Sequence, residues 1–154
     1  MPFGSICAHL YFVETGFLRG VNRTEGGERT GWFWKEYDLV AALYSFLTQT
    51  PTDQQIVAVE PCRLSRLSYV HLQALYRDFP SLNLAGRLLI ERYFLQAMEQ
   101  TRLLQTGDVR TRYEALLALH SDIFQRTTLA DIASFLGARP ETISRVRRKR
   151  KEGG

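Results

Sequence analysis

The stretch TLADIASFLGARPETISRVRRKR (residues 128–150) decides how the rest of the chain is read. Leu129, Ile132, Ala133 and Leu136 recur at spacings of 3, 4 and 7, the pattern of one apolar helix face. Gly137 follows directly, where a chain leaving a helix needs a residue that tolerates positive φ. Pro140 stands where a second helix can begin, because its missing N–H is one that no helix start can use. Ile143 and Val146 continue an apolar face on that second helix, and Ala133 is small where two steeply crossing helices would otherwise collide. This is the spacing of a helix-turn-helix, in which the second helix lies in the DNA major groove.

The charge distribution supports the same partner. From Arg139 onward there are seven Lys or Arg against Glu141 and Glu152, a net +5, while residues 1–138 carry −1 of the chain's total of +4. A cationic patch at one end of a near-neutral body is the footprint of a polyanion partner, although such a run alone is also compatible with a solvated tail. The 154 residues are 45% hydrophobic and 23% charged, which excludes a disordered chain and fits one or two small globular units. Apolar runs fall short of the ~18 residues that a membrane span needs, so no membrane partner is expected. The start, MPFGSICAHLYF, lacks the basic region and cleavage site of a signal peptide. Cys7 and Cys62 are far apart and in no metal-binding spacing, so free thiols in a reducing cytoplasm are expected.

Residues 6–34 read as strands and turns, with an alternating aromatic run at 6–16, a second run at 17–24, and Gly26-Gly27 as a hairpin signal. In the third run Trp32 and Trp34 fall on one face and Phe33 on the other. Residues 39–51 fit a helical turn leading into a loop that ends at Pro51, and strand-like pieces follow at 55–59 and 63–67. Ser68 can cap a helix over 69–79, with Leu72, Leu75 and Tyr76 inward, that stops before Pro80. The longest helical signal runs from 81 to 105, where Leu82, Ala85, Leu88, Leu89, Arg92, Leu95, Met98, Glu99 and Arg102 follow steps of 3 and 4. At 1.5 Å per residue it is about 37 Å long, more than a small β unit can cover. A second copy of the same helix is the economical partner for that stripe, and a homodimer is expected. A further helix at 108–120 places Val109, Tyr113, Leu116, Leu117 and His120 near one face, and 121–126 reads as a short link.

A β unit, a long helix and a C-terminal helix-turn-helix resemble the plan of the Crp/Fnr family of bacterial transcription regulators. The resemblance covers nearly everything from Ile6 to Lys151 and is carried by HLYFVETGFLR (9–19), SFLTQTP (45–51), LIERYFLQAMEQTRLL (89–104) and LADIASFLGARPETISRVRRK (129–149). SFLTQTP and GRLLIERYFL are most similar to the branch found in Bacteroidetes. The resemblance implies an α+β chain: a partial cyclic-nucleotide-binding-like antiparallel β roll over 1–67, a helix pair with the long dimerisation helix over 68–106, and a helix-turn-helix, winged-helix-like domain over 107–154. It also implies a homodimer on a palindromic operator in double-stranded DNA, and leaves RNA polymerase open as a further partner.

Two departures from the family pattern matter. The family's roll normally begins some 30 to 40 residues earlier, so a truncated or mis-assigned start, with an unpaired edge, is expected. Members that bind cyclic AMP use a Gly-Glu pair for the ribose and an Arg-Ser or Arg-Thr pair for the cyclic phosphate. The phosphate positions fall near Thr52 and Asp53, and the Gly-Glu positions near Ala41 and Ala42. No Arg lies between Lys35 and Arg63 to supply the missing cation, so cyclic AMP binding is not expected and no effector is assigned. The four cysteines of the oxygen-sensing members are absent. His9, His71 and His120 are isolated histidines, more commonly surface or core residues than haem ligands.

Glu141, Ser144 and Arg145 form an E-x-x-S-R group on one helix face, which resembles the motif by which the Fnr side of the family reads a TTGA-like half-site. Arg can donate two hydrogen bonds to guanine, Glu can accept from cytosine N4, and Ser can meet a thymine edge. Glu141 is equally compatible with a first-turn role beside the helix dipole, with Arg145 as its i+4 partner. Thr128, Arg139, Arg147, Arg148 and Lys149, with Arg150 beyond, are expected at phosphates. A wing after the second helix is expected to be rudimentary. An alternative class is a protein–protein module that dimerises through the long helix and binds nucleic acid only non-specifically. Nothing in the sequence supports an enzyme: no paired carboxylates, Gly-rich phosphate loop, metal-ligand cluster or nucleophile motif is present.

Overall fold

The structure, a computed structural model, describes residues 1–152; the side chains of Thr106 and of Lys151, one cation of the basic run, lie outside what is described. The chain divides into two compact units, residues 1–83 and 84–154. The fold is α+β, with two three-stranded antiparallel sheets in the first unit and, among the described residues, seven helices along the chain.

One sheet has β1 (His9–Thr15) at its centre, flanked by β4 (Leu39–Val40) and β6 (Arg63–Ser68). In the other, β2 (Leu18–Thr24) lies between β3 (Gly27–Trp34) and β5 (Gln54–Ala58). The β2–β3 hairpin closes through Glu25-Gly26, with Gly27 at φ +111° and Thr24 Oγ1 donating to the Gly27 carbonyl at 2.8 Å. Val13, Leu18, Trp34, Val40, Phe46 and Ile56 form the core between the strands, and Trp32 packs against it. Gly20 has no side chain because one would meet the Trp34 indole at 2.9 Å. Phe33, on the opposite face from the two tryptophans, stacks on Phe17 with ring centroids 5.5 Å apart.

The helical turn expected after residue 39 is α1 (Leu43–Thr48), preceded by the two-residue β4 and ended by Gln49 in the left-handed region at φ 55°. The first six residues, for which the sequence pattern predicts no partner, run beside 51–56. Ile6 bridges Pro51, Gly4 N–H donates to the Thr52 carbonyl at 2.8 Å, and Met1 and Ile56 exchange hydrogen bonds at 2.9 and 3.0 Å. The β5 edge is therefore partly covered there, while β3, β4 and β6 are also edge strands of their sheets. Ser68 caps α2 (Tyr69–Asp78), its hydroxyl accepting from His71 N–H at 3.2 Å.

α3 (Ser81–Thr106) is one 26-residue helix, about 39 Å long at 1.5 Å per residue. At its end Gly107 N–H bonds the Leu103 carbonyl at 3.0 Å, and a Cβ on Gly107 would meet that oxygen at 2.8 Å. The Arg112 guanidinium donates to the Leu104 carbonyl at 3.2 Å, satisfying another acceptor of the last turn. α4 (Val109–Leu119) starts at Asp108, whose carboxylate accepts from Thr111 N–H at 2.7 Å. That bond holds the Asp108 carboxyl below its ordinary pKa. The stretch read as a link contains α5 (Ile123–Arg126), a single helical turn. No helix among the described residues is long and apolar enough to cross a membrane.

Gly16 offers a direct check of the roll. Its φ is +110°, and a Cβ there would lie 2.5 Å from Cys62 Sγ and 2.8 Å from the Pro61 carbonyl. Gly16→Ala is expected to destabilise the chain by at least about 2 kcal/mol, read as a lowered urea midpoint. An unchanged midpoint would contradict this packing.

Candidate nucleic-acid interface

α6 (Leu129–Phe135) and α7 (Pro140–Glu152) are the two helices of the stretch 128–150. Thr128 caps α6: its hydroxyl accepts Asp131 N–H at 3.1 Å and donates to the Asp131 carboxylate at 2.7 Å. The Thr127 hydroxyl adds a second bond to the same carboxylate at 3.0 Å. A phosphate contact through the Thr128 hydroxyl would compete with this cap. At the other end Gly137 takes φ +60°, Ala138 N–H reaches the Ala133 carbonyl at 2.9 Å and Gly137 N–H reaches the Ser134 carbonyl at 3.2 Å. These two bonds are the Schellman pattern that a left-handed residue allows. The Arg139 carbonyl then accepts from Thr142 and Ile143 at 3.0 and 3.2 Å, opening α7 with Pro140 at its first position.

Ile132, Ala133, Leu136 and Ile143 are all at most 1% exposed, whereas Leu129 and Val146, expected on the same apolar faces, are half-buried. α7 packs on both α6 and α4. Its opposite face is open. Glu141, Ser144, Arg145 and Arg148, with Leu129 and Pro140, line a shallow groove of about 460 Å³. Among the described residues, the Glu141, Ser144 and Arg145 side chains form no hydrogen bond or ion pair, so the i+4 pairing of Glu141 with Arg145 is not made. Arg139 and Lys149 are exposed, and Arg148 Nε lies 3.8 Å from Glu152 Oε1. Arg147 is held differently: its guanidinium carbon sits 4.3 Å above the Phe124 ring of α5. Sequence reasoning misses that contact, because nothing in a basic run marks which cation has an aromatic partner. Among the described residues no strand follows β6.

On α3, Leu82, Leu88, Leu89, Leu95 and Met98 are exposed, and so are Ala85, Arg92 and Arg102. Arg102 Nε pairs with Glu99 at 2.9 Å, which lowers the Glu99 pKa. Leu84, Ile90 and Phe94 are exposed as well, at 53%, 43% and 63%. They fall off the 3-and-4 stripe or beside it, so periodicity does not single them out.

In the first unit, Ala41 and Ala42 are buried directly before α1, Thr52 is buried with its hydroxyl accepting from Gln54 N–H at 2.9 Å, and Asp53 is exposed. His9, His71 and His120 lie on β1, on α2 and at the end of α4 respectively. No group of three or more His, Cys, Asp or Glu among the described residues could hold a metal ion. Burial pushes the Cys7 thiol pKa up.

The family model of the cyclic nucleotide-binding domain matches residues 3–79. The chain belongs to that family, and its architecture is that of the Crp/Fnr regulators. Among solved structures it is similar to FixK2 of Bradyrhizobium japonicum (17% identity, 98% of this chain and 79% of that one, TM-score 0.84). It is also similar to the c-di-GMP responsive global regulator CLP of Xanthomonas campestris (19%, 100% and 82%, TM-score 0.73). A third similar structure is TTHB099, a transcriptional regulator of the CRP family from Thermus thermophilus (20%, 98% and 80%, TM-score 0.72). No curated protein sequence matches the chain.

The Thr128 cap yields a measurable consequence. Thr128→Ala is expected to cost about 1 kcal/mol and Thr128→Ser to restore most of it, as read by chemical denaturation. Equal stability of the two variants would show that the hydroxyl does not hold the helix start.

Proposed function

We propose that the chain is a sequence-specific, DNA-binding transcription regulator of the Crp/Fnr type that acts as a homodimer on a palindromic operator. The observation that carries this reading is the face of α7 on which Glu141, Ser144 and Arg145 stand exposed and without intramolecular partners among the described residues. A carboxylate left unpaired among cations is unfavourable in a phosphate-lined groove unless a base amine meets it, and cytosine N4 is such a donor. In this reading Arg145 takes guanine O6 and N7, Glu141 accepts from cytosine, and Ser144 meets a thymine edge. Arg139, Arg148 and Lys149 take phosphates and fix the helix without reading sequence.

The exposed apolar residues of α3 favour a two-fold pair of chains. Such a pair presents two copies of α7 to successive major grooves, roughly 34 Å apart. No ligand is assigned to the β roll: Ala41, Ala42 and Asp53 offer neither a ribose acceptor nor a phosphate-binding cation at the positions where relatives that bind cyclic AMP have them.

Two sets of variants test the proposal. On a duplex enriched from a random pool by the wild-type chain, Arg145→Ala should lose about 10-fold or more of its preference over a scrambled duplex. Arg148→Ala should weaken both duplexes alike and flatten the salt dependence by about one unit. Equal loss on both duplexes for Arg145→Ala would sink the base-reading role. Light scattering should give a dimer at micromolar concentration for the wild type and a monomer for Leu88→Asp/Leu95→Asp. A monomeric wild type counts against the α3 interface, and salt-independent duplex binding would favour a protein–protein module.

A further inference from the structure

The cations of α7 do not all project to the same side. At about 100° per residue, Glu141, Ser144, Arg145 and Arg148 fall within about 100° of one another. Arg147 falls about 120° away from Glu141 and only about 40° from Ile143, one turn earlier. Ile143 is fully buried, and Arg147, itself exposed, stands on the flank of α7 next to it. There its guanidinium lies 4.3 Å above Phe124. Phe124 in turn meets Tyr113 of α4, with ring centroids 5.8 Å apart and planes tilted by 48°, and Tyr113 is 2% exposed. Three elements, α4, α5 and α7, are thus joined by one ladder of rings ending in a cation.

We infer that Arg147 is a positioning residue of the interface, which sets the rotation of α7 through Phe124 and Tyr113 and contributes no phosphate contact. A flat guanidinium suits the face of an aromatic ring, and holding it there restrains rotation of the helix about its own axis. Ile143, with the half-buried Val146 to one side of it, fixes how deeply α7 sits but leaves the other flank to be held. A second anchor one turn along, off the Ile143 axis, resists rolling. A roll would move Glu141 and Arg145 together relative to the bases, so base discrimination suffers before general affinity does. The inference rests on the DNA-reading role proposed above, but the ladder itself can be tested without DNA.

The experiment uses the full chain with Arg147→Gln, Arg147→Lys, Phe124→Leu and the Phe124→Leu/Arg147→Gln double variant. The salt slope on a scrambled duplex should stay within about 0.3 of wild type for Arg147→Gln, since a lost phosphate contact would change it by about 0.9. The preference for the enriched duplex should fall about 3-fold to 10-fold for Arg147→Gln and be only partly kept by Arg147→Lys, whose ammonium keeps the charge but not the flat stacking. In the Phe124→Leu background Arg147→Gln should have no further effect, on either the preference or the Tm. A slope loss of about one unit that persists in the Phe124→Leu background would overturn the inference and make Arg147 a phosphate contact. Absence of salt-dependent duplex binding by the wild type would instead defeat the DNA-reading role. In that event the Tm cycle still decides the ladder: additive losses overturn it and non-additive losses uphold it.

Discussion

The burial of Ile143 is the constraint on which the rest of the basic helix depends. α7 carries cations at most of its exposed positions and has little reason of its own to stay folded against a protein surface. Fully burying one Ile side chain contributes roughly 1.5–3 kcal/mol, which is large against the weak self-repulsion of exposed cations in water. Ile132, Ala133 and Leu136 make that burial available, and the small Ala133 lets α7 approach α6 closely. Once Ile143 faces inward, helical geometry alone decides which side chains face outward. Chemistry at the surface is therefore fixed by packing underneath it.

The first unit keeps its family's fold on different grounds. Its core holds large side chains such as Trp34 and Phe46, and the Trp34 indole lies against Gly20, where a Cβ would meet it at 2.9 Å. The family's fold is thus retained by packing constraints that are independent of the cations and hydroxyls a nucleotide would require.

Most of the architecture was legible because its signals are local. Thr128, Gly137 and Pro140 each mark a helix boundary through their own backbone or hydroxyl chemistry, and all three stand where that chemistry places them. Ser68 and Asp108 do the same for α2 and α4. What could not be read depends on partners distant in sequence. Four residues are too few to show a helical period, so α5 resembles a link. The pairing of residues 1–6 with 51–56 joins irregular segments that share no alternation. Arg147 looks like its neighbours because a run of cations says nothing about which has a ring beneath it. The exposed Leu84, Ile90 and Phe94 lie off or beside the periodic stripe, where a 3-and-4 pattern cannot reveal them.

The turn at Gly137 has one more consequence. The Schellman bonds leave no slack between α6 and α7, so the length of the turn sets where α7 begins against α6. One inserted residue would either break those two bonds or pull Ile143 out of the core, whereas the angle between Glu141 and Ile143 is internal to α7 and would not change. Substitutions on α7 can thus retune what the helix recognises one position at a time, whereas a change of length in the turn unseats the whole helix. The interface can diversify by spelling but not by spacing.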